Sequence, residues 1–316
     1  MKLEDIREVA ILGAGTMGPG LAQSYATCGY GVKLYSRRRE TLDKAYSIIR
    51  TNLGTMVEAG LLPADQVDSI MQRIKFTDSV TEAAQGAQYV VETVVENRDI
   101  KRQLYAELDK ICAPDTIIAS NTSYLNIYEL MVPARLQQTI IAHWFAPPHI
   151  IPLVEVVRGP ETSDATVQLT MDFLKTIGKT PVLMEKFVPG FVINRIQRIL
   201  GREIFFLLDN GYITPEQLDL AVKASIAPRM MVLGVVQRYD FTGLDLSAKN
   251  LENDQFIEPP MENRPRSLFD RVEKGHLGVK TGKGFYDYSG RSLEEILKER
   301  DMNLMKVFKG IDFILK

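Results

Sequence analysis

The chain predicts an α/β fold in two parts: a doubly wound, mostly parallel sheet followed by a smaller all-α domain. Three observations carry this. Short apolar runs alternate with helix-compatible segments over the first 180 residues, the pattern of a parallel sheet with crossover helices. The first of those runs enters a glycine-rich turn that opens a helix. Past Lys186-Phe187-Val188-Pro189-Gly190 only helical segments follow. A chain of 316 residues is long enough for two domains, and the linker sets them at 1–185 and 186–316.

Val9–Leu12 leads directly into GAGTMG, with Gly13, Gly15 and Gly18 at the dinucleotide-binding spacing. A helical segment to Cys28 and a second apolar run, Val32–Tyr35, complete a strand–turn–helix–strand unit. That context separates a Rossmann-type turn from a chance match. Gly13 allows the tight turn, Gly15 lets the backbone approach a pyrophosphate, and Gly18 permits close packing at the helix start. Gly13, Gly15, Thr16, Met17 and Gly18 are therefore cofactor-binding candidates.

The end of the second strand usually carries an acid for the ribose hydroxyls of NAD. Here it reads Ser36, followed by Arg37, Arg38 and Arg39. Loss of the acid removes its repulsion of a 2′-phosphate, and Ser36 and Arg37 can donate to one. The cofactor is NADP or NAD, and this position favours NADP. Arg38 and Arg39 also fit a solvated helix start.

Residues 38–73 read as two helices, Thr41–Ala59 and Ala64–Arg73, broken at Gly60 and Pro63. The pair is longer than a normal crossover and is expected to project from the sheet as a hairpin at about 40–73. Ile74–Phe76 and Tyr89–Val95 are strands, and VVETVVEN puts Glu92 and Glu96 at the end of the second. Acids there face the ligand side of an open α/β sheet or cap the next helix, and both readings stand. Ile117–Ala119 ends in Ser120-Asn121-Thr122-Ser123, short side chains able to bond a ligand or their own loop. A helix at Ser163–Ile177 and a strand at Pro181–Met184 close the sheet domain. The second domain starts with helices Phe191–Asn210 and Pro215–Lys223, then an apolar segment near Met230–Val236. Its methionines suit packed or dimeric cores. Residues 291–316 read as a charged amphipathic helix.

Composition narrows the function. Hydrophobic residues are 45%, charged residues 25% and the net charge is −2, so no global field recruits nucleic acid or an anionic membrane. Cys28 and Cys112 are too few for a disulfide framework and are expected to be inert core residues. No spacing of His, Cys and acids matches a metal site. No charged-then-apolar leader and no run of about 18 apolar residues occurs, so a cytoplasmic location is expected.

Thr139–Val157, TIIAHWFAPPHIIPLVEVV, holds two of the three histidines, the single tryptophan, and Glu155 inside an apolar strand. A buried carboxylate needs a partner, and His143 lies across a Pro-rich reversal from it. A histidine held in one tautomer by a buried acid is a general-base device. His149 reads as loop packing, His276 has no assigned role, and Lys280 and Lys283 read as a solvated loop.

Taken together, GAGTMG, VVETVVEN, SNTS, the H-x11-E pairing of His143 with Glu155, PGFVINR and TGKGFYDY resemble the 3-hydroxyacyl-CoA dehydrogenase family. The resemblance runs to about Tyr288 and is nearest the short 3-hydroxybutyryl-CoA dehydrogenases. It implies a dinucleotide-binding domain, a helical domain that forms a homodimer, and a small-molecule substrate, an acyl-CoA in most members. It also implies His143 and Glu155 as the catalytic pair and Ser123 and Asn194 as active-site donors. Glu96 would lie near the nicotinamide, with Asn121 beside it in the cofactor site. Three departures stand out: Trp144-Phe145-Ala146-Pro147 after the histidine, Met231-Val232-Leu233-Gly234 in the second domain, and a hairpin tip, EAGLLPADQ, without lysine. The tract PPHIIPLVEVV is similar to the gulonate dehydrogenase and lambda-crystallin branch and to a pyridine-carboxylate dehydrogenase, which act on small free acids. Three readings follow: an acyl-CoA dehydrogenase, a dehydrogenase of a free 3-hydroxy acid, and a non-enzymatic cofactor-binding or structural protein.

Overall fold

Near-continuous apolar runs form the sheet of the first unit, which spans Met1–Val192. In chain order it contains β1 (Glu8–Leu12), α1 (Gly18–Thr27), β2 (Gly31–Tyr35), α2 (Arg39–Glu58), α3 (Val67–Gln72) and β3 (Ile74–Thr77). Then follow α4 (Val80–Ala84), β4 (Tyr89–Glu92), α5 (Arg98–Ile111), β5 (Ile117–Ser120), β6 (Thr139–Trp144), β7 (Leu153–Val157), α6 (Asp164–Thr176) and β8 (Thr180–Met184). The coordinates are a computed structural model and describe residues 1–311 and 313–314.

The strand order is β3-β2-β1-β4-β5-β6-β7-β8. Every neighbouring pair is parallel except β6 and β7. The direction of winding reverses between β1 and β4, and ligands bind outside the carboxyl ends of strands at such a switch point. Both faces are covered, which explains the unbroken apolar runs. Val9 and Ile11 of β1 face a cluster with Tyr25, Trp144 and Phe173. Ala10 and Leu12 face another with Tyr105, Leu108 and Ile118, as the two-residue side-chain period requires.

The structure differs from the sequence expectation in three places. The helical hairpin does not stand free: Leu42, Ala45, Ile49 and Leu53 of α2 and Ile70 and Met71 of α3 are buried in the core shared with α1. Cys28 is exposed at the end of α1, whereas Cys112 is buried. The linker stays with the sheet, because Phe191 is fully buried in its second core cluster.

The second unit, from Ile193 onward, is helical. It comprises α7 (Ile193–Asp209), α8 (Pro215–Ala221), α9 (Ala227–Leu233), α10 (Gln237–Thr242), α11 (Leu244–Leu251), α12 (Arg266–Glu273) and α13 (Leu293–Ile311). A π-helical turn at Val222–Ile226 joins α8 to α9. The carboxylate of Asp209 caps α12, accepting from the amides of Arg266 at 2.8 Å and Ser267 at 2.6 Å. No residue of α7 to α12 is buried.

Lys179 fixes the loop between β6 and β7. Its buried ammonium donates to the carbonyls of Pro148 at 2.6 Å and Ile151 at 3.0 Å and lies 4.8 Å over the Trp144 ring. Burial lowers its pKa from 10.5 to about 8. The unfolded chain therefore binds more protons than the fold between these values, so stability rises with pH across that window. Neutral lysine keeps two N–H groups for the two carbonyls. From about pH 7.5 to about pH 9.5 the wild type should gain roughly 1–2 kcal/mol relative to Lys179→Met. Denaturant midpoints at both pH values read this, and parallel pH dependences would refute it.

Candidate active site

The turn after β1 is constrained by its glycines. Gly13 has φ +126°, and a Cβ there would sit 2.5 Å from the Thr93 carbonyl oxygen. A Cβ on Gly18 would sit 2.0 Å from the carbonyl oxygen of Gly13. Gly15 meets nothing within 4 Å and is exposed, so the open side of the loop faces free space. Met17 is the N-cap of α1 and provides no side-chain cap, and since Pro19 has no N–H, the amides of Gly18 and Gly20 are those the helix start offers an anion. Thr16 is exposed beside them, and Gly18 is packed beneath the loop.

A cavity of about 750 Å³ adjoins this turn and is lined by Gly13, Ala14, Gly15, Tyr35, Ser36, Arg37, Arg38, Thr93, Gln103 and Glu107, among others. The Ser36 hydroxyl accepts from the Arg38 amide at 3.5 Å. Among the described residues, Arg37 and Arg38 have no ion-pair partner, whereas Arg39 pairs with Asp43. An uncapped helix start, an open glycine and a cavity of this size fit the pyrophosphate and adenosine of a dinucleotide. Gln103 and Glu107 escaped the sequence reading. Their one-turn spacing on α5 is a signal, but an exposed helix face offers the same spacing.

Glu92 and Glu96 have distinct roles, and neither caps α5. That cap is Asn97, whose side chain accepts from the amides of Asp99 and Ile100. Glu92 is fully buried and accepts from Lys101 Nζ at 2.6 Å, Tyr105 OH at 2.7 Å, Ser120 Oγ at 2.6 Å and the Val94 amide at 2.9 Å. Glu96 gathers the SNTS loop: Oε1 accepts from Thr122 Oγ1 at 2.5 Å and from the amides of Ser123 at 3.0 Å and Tyr124 at 3.1 Å. Its Oε2 lies 3.3 Å from Lys101 Nζ. Burial alone would raise the Glu96 carboxyl, but the Thr122 hydroxyl, the Lys101 charge and the two amides together hold it below its usual value. Lys101 is 1% exposed and was not singled out from the sequence. Its signal is a lysine in the inward stripe Lys101, Leu104, Tyr105, Leu108.

Asn121 is a link within this end of the sheet. Its Oδ1 accepts from the Trp144 amide at 2.7 Å, and its Nδ2 donates to Thr93 Oγ1 at 3.3 Å. Both ends of the amide are thus engaged in the protein.

The antiparallel turn from β6 to β7 puts His143 directly opposite Glu155. His143 Nδ1 is 2.9 Å from Glu155 Oε2, and Nε2 is 3.2 Å from Ser123 Oγ. Glu155 Oε1 accepts from the Val192 amide at 2.9 Å. Both side chains are buried, His143 at 4% and Glu155 at 1% exposure. Phe145 and Phe191 pack on the imidazole, with ring centroids at 4.7 and 5.2 Å. Neither phenylalanine nor the Val192 amide was identified from sequence, because a backbone donor and a wall of the core leave no residue-type signature. Asn194 is the second residue of α7, half-buried in the helical unit. Among the described residues, no group of His, Cys, Asp and Glu is placed to hold a metal ion, and no helix is long and apolar enough to cross a membrane.

This arrangement can accept a proton at His143 Nε2 and stabilise the resulting imidazolium through Glu155, while Ser123 donates to an oxygen. Comparison with known proteins covers both units. Residues 8–187 match the model of the 3-hydroxyacyl-CoA dehydrogenase NAD binding domain, and residues 190–288 match that of the family's C-terminal domain. The chain is 34% identical to 5-formyl-3-hydroxy-2-methylpyridine 4-carboxylate 5-dehydrogenase of Mesorhizobium japonicum, over 96% of this chain and 97% of the relative. It is also 34% identical to a probable 3-hydroxybutyryl-CoA dehydrogenase of Bacillus subtilis, over 91% and 99%. The crystal structure of a pyridine-carboxylate dehydrogenase of the first kind, described as an NAD⁺-dependent dismutase, superimposes with a TM-score of 0.85 at 32% identity, covering 97% of this chain and 99% of that one. With the models of both of its domains matched in order, the chain belongs to the 3-hydroxyacyl-CoA dehydrogenase family.

Proposed function

We propose that this chain is an NAD(P)-dependent 3-hydroxyacyl dehydrogenase, moving a hydride between the nicotinamide and a carbon that carries a 3-hydroxy or 3-keto group. The observation that carries the reading is the chain of bonds Ser123–His143–Glu155 beside a dinucleotide-type cavity. Gly13, Gly15, Thr16, Met17, Gly18, Ser36 and Arg37 would hold the cofactor, with Glu96 and Asn121 ordering the loop next to it. When bound, the nicotinamide supplies the hydride acceptor or donor.

The chain's own residues handle the proton. With Nδ1 donating to Glu155, Nε2 presents a lone pair and removes the O–H proton of the alcohol as the hydride leaves carbon. The ketone forms, and the imidazolium is held against the Glu155 carboxylate. Ser123 donates to the substrate oxygen, and Asn194 is assigned the same task. In the reductive direction the imidazolium returns the proton. A positioned base is worth about 10²–10⁴-fold.

Two substrate classes have support. Family membership and the 3-hydroxybutyryl-CoA relative favour a CoA thioester. Residues 51–72 of the hairpin contain Glu58, Asp65 and Asp68 and no lysine or arginine, a poor surface for a polyphosphate. With the pyridine-carboxylate relative, this favours a small free 3-hydroxy acid. Turnover with acetoacetyl-CoA and with a small free 3-keto acid, each with NADPH and NADH, separates these readings from a non-enzymatic protein, which would turn over neither.

Ser36 and Arg37 favour NADP(H), since neither repels a 2′-phosphate and both can donate to it. The helical unit is assigned a homodimeric partner. Val236, Leu251, Phe256, Ile257 and Met261 are each at least 63% exposed there, and large exposed apolar side chains suit a partner surface.

His143→Gln should lower kcat by about 10²–10⁴-fold with cofactor affinity unchanged; wild-type turnover would remove His143 as the base. Ser36→Asp should shift the kcat/KM ratio towards NADH, and an unshifted ratio would reduce the arginines to a helix surface. Light scattering of the purified chain should give twice the mass of one chain, with a monomer as the contrary result.

A further inference from the structure

Phe191 is the one non-glycine residue with positive φ among the described residues, at +51°. A side chain there crowds the adjoining carbonyl, whereas glycine takes the conformation freely. Gly190, just before it, has φ +79°, so the chain makes two left-handed steps in succession. Conformations of this kind persist where surrounding structure enforces them. The Phe191 amide donates to the Val188 carbonyl at 3.0 Å, closing the turn.

Two consequences of that turn meet at the His143–Glu155 pair. The Phe191 ring is fully buried, with its centroid 5.2 Å from the His143 ring and 6.0 Å from Phe187. The next peptide aims the Val192 amide at Glu155 Oε1, 2.9 Å away, while Oε2 is 2.9 Å from His143 Nδ1. A packing role alone would be met by an apolar residue in extended backbone. A backbone role alone would be met by glycine. Keeping a phenylalanine in a left-handed conformation satisfies both at once.

We propose that Phe191 is a positioning residue for the base: its ring walls the imidazole from water, and its left-handed backbone delivers the Val192 amide to Glu155. It acts through His143, against whose ring it packs. The proposal rests on His143 being the base.

The test compares Phe191→Gly and Phe191→Leu in the wild-type and His143→Gln backgrounds of the full chain, with circular dichroism to establish folding. The glycine variant keeps the backbone and loses the wall; the leucine variant keeps buried volume without the ring. In the wild-type background, Phe191→Gly should lower kcat by about 10–100-fold, the scale of a slightly misplaced catalytic group, with cofactor KM within about twofold. Phe191→Leu should fall between the two. In the His143→Gln background neither change should reduce the residual rate by more than about twofold, since residues acting through one group are not additive. A folded variant with wild-type kcat, or an equal loss in both backgrounds, would overturn the proposal. If the glycine variant does not fold, the leucine variant carries the same comparison. Failure of the base assignment shows in His143→Gln alone, whereas failure of this proposal shows in the Phe191 variants, as an unchanged kcat or as an equal loss in both backgrounds.

Discussion

A carboxylate at 1% exposure within an apolar strand is tolerated only with donors in place, and the site depends on how Glu155 obtains them. Its partners come from β6 and from the chain just past β8, elements far apart in sequence. The second follows the parallel pairing of β7 with β8, and the first depends on the one antiparallel pairing in an otherwise parallel sheet. A slip of one residue in that pairing would turn Glu155 to the opposite face of the sheet. The clamp of Lys179 on the connecting loop therefore bears on the chemistry as well as on stability.

A second buried charge system approaches the first from the other side of the base. Lys101 bridges Glu92 and Glu96, and Glu96 holds the loop whose Ser123 reaches His143 Nε2. Removing one member of such a set leaves an uncompensated charge, so its members act together. The imidazole is thus fixed at both nitrogens by groups that are themselves fixed. This is the preorganisation that makes a proton acceptor effective before substrate arrives.

The parts of this design written in local sequence were legible, and the parts written in tertiary contact were not. Gly13, Gly15 and Gly18 carry their steric reasons in their spacing, and alternation of strand and helix is enough for the sheet. The pairing of His143 with Glu155 could be anticipated, because a buried acid demands a partner and few were available. The roles of Glu92 and Glu96 could not be separated: burial of one and loop contacts of the other depend on Lys101 arriving from α5. Hairpin packing was misjudged because length alone does not reveal that Leu42, Ala45, Ile49 and Leu53 face α1 rather than solvent. The left-handed turn at Phe191 has no composition signal, since phenylalanine is an ordinary apolar residue in sequence.

Gly20, in the first turn of α1, lies against the loop that follows the base, and a Cβ there would sit 2.5 Å from Pro148 Cγ. The helix that opens at the dinucleotide-type turn and the hairpin that carries His143 are thereby packed directly against each other. Residues such as Val95 and Tyr124, 59% and 58% exposed on the loops around Glu96 and Ser123, lie outside that contact. The packing of that helix on the loop after the imidazole is thus set apart from the exposed residues around it.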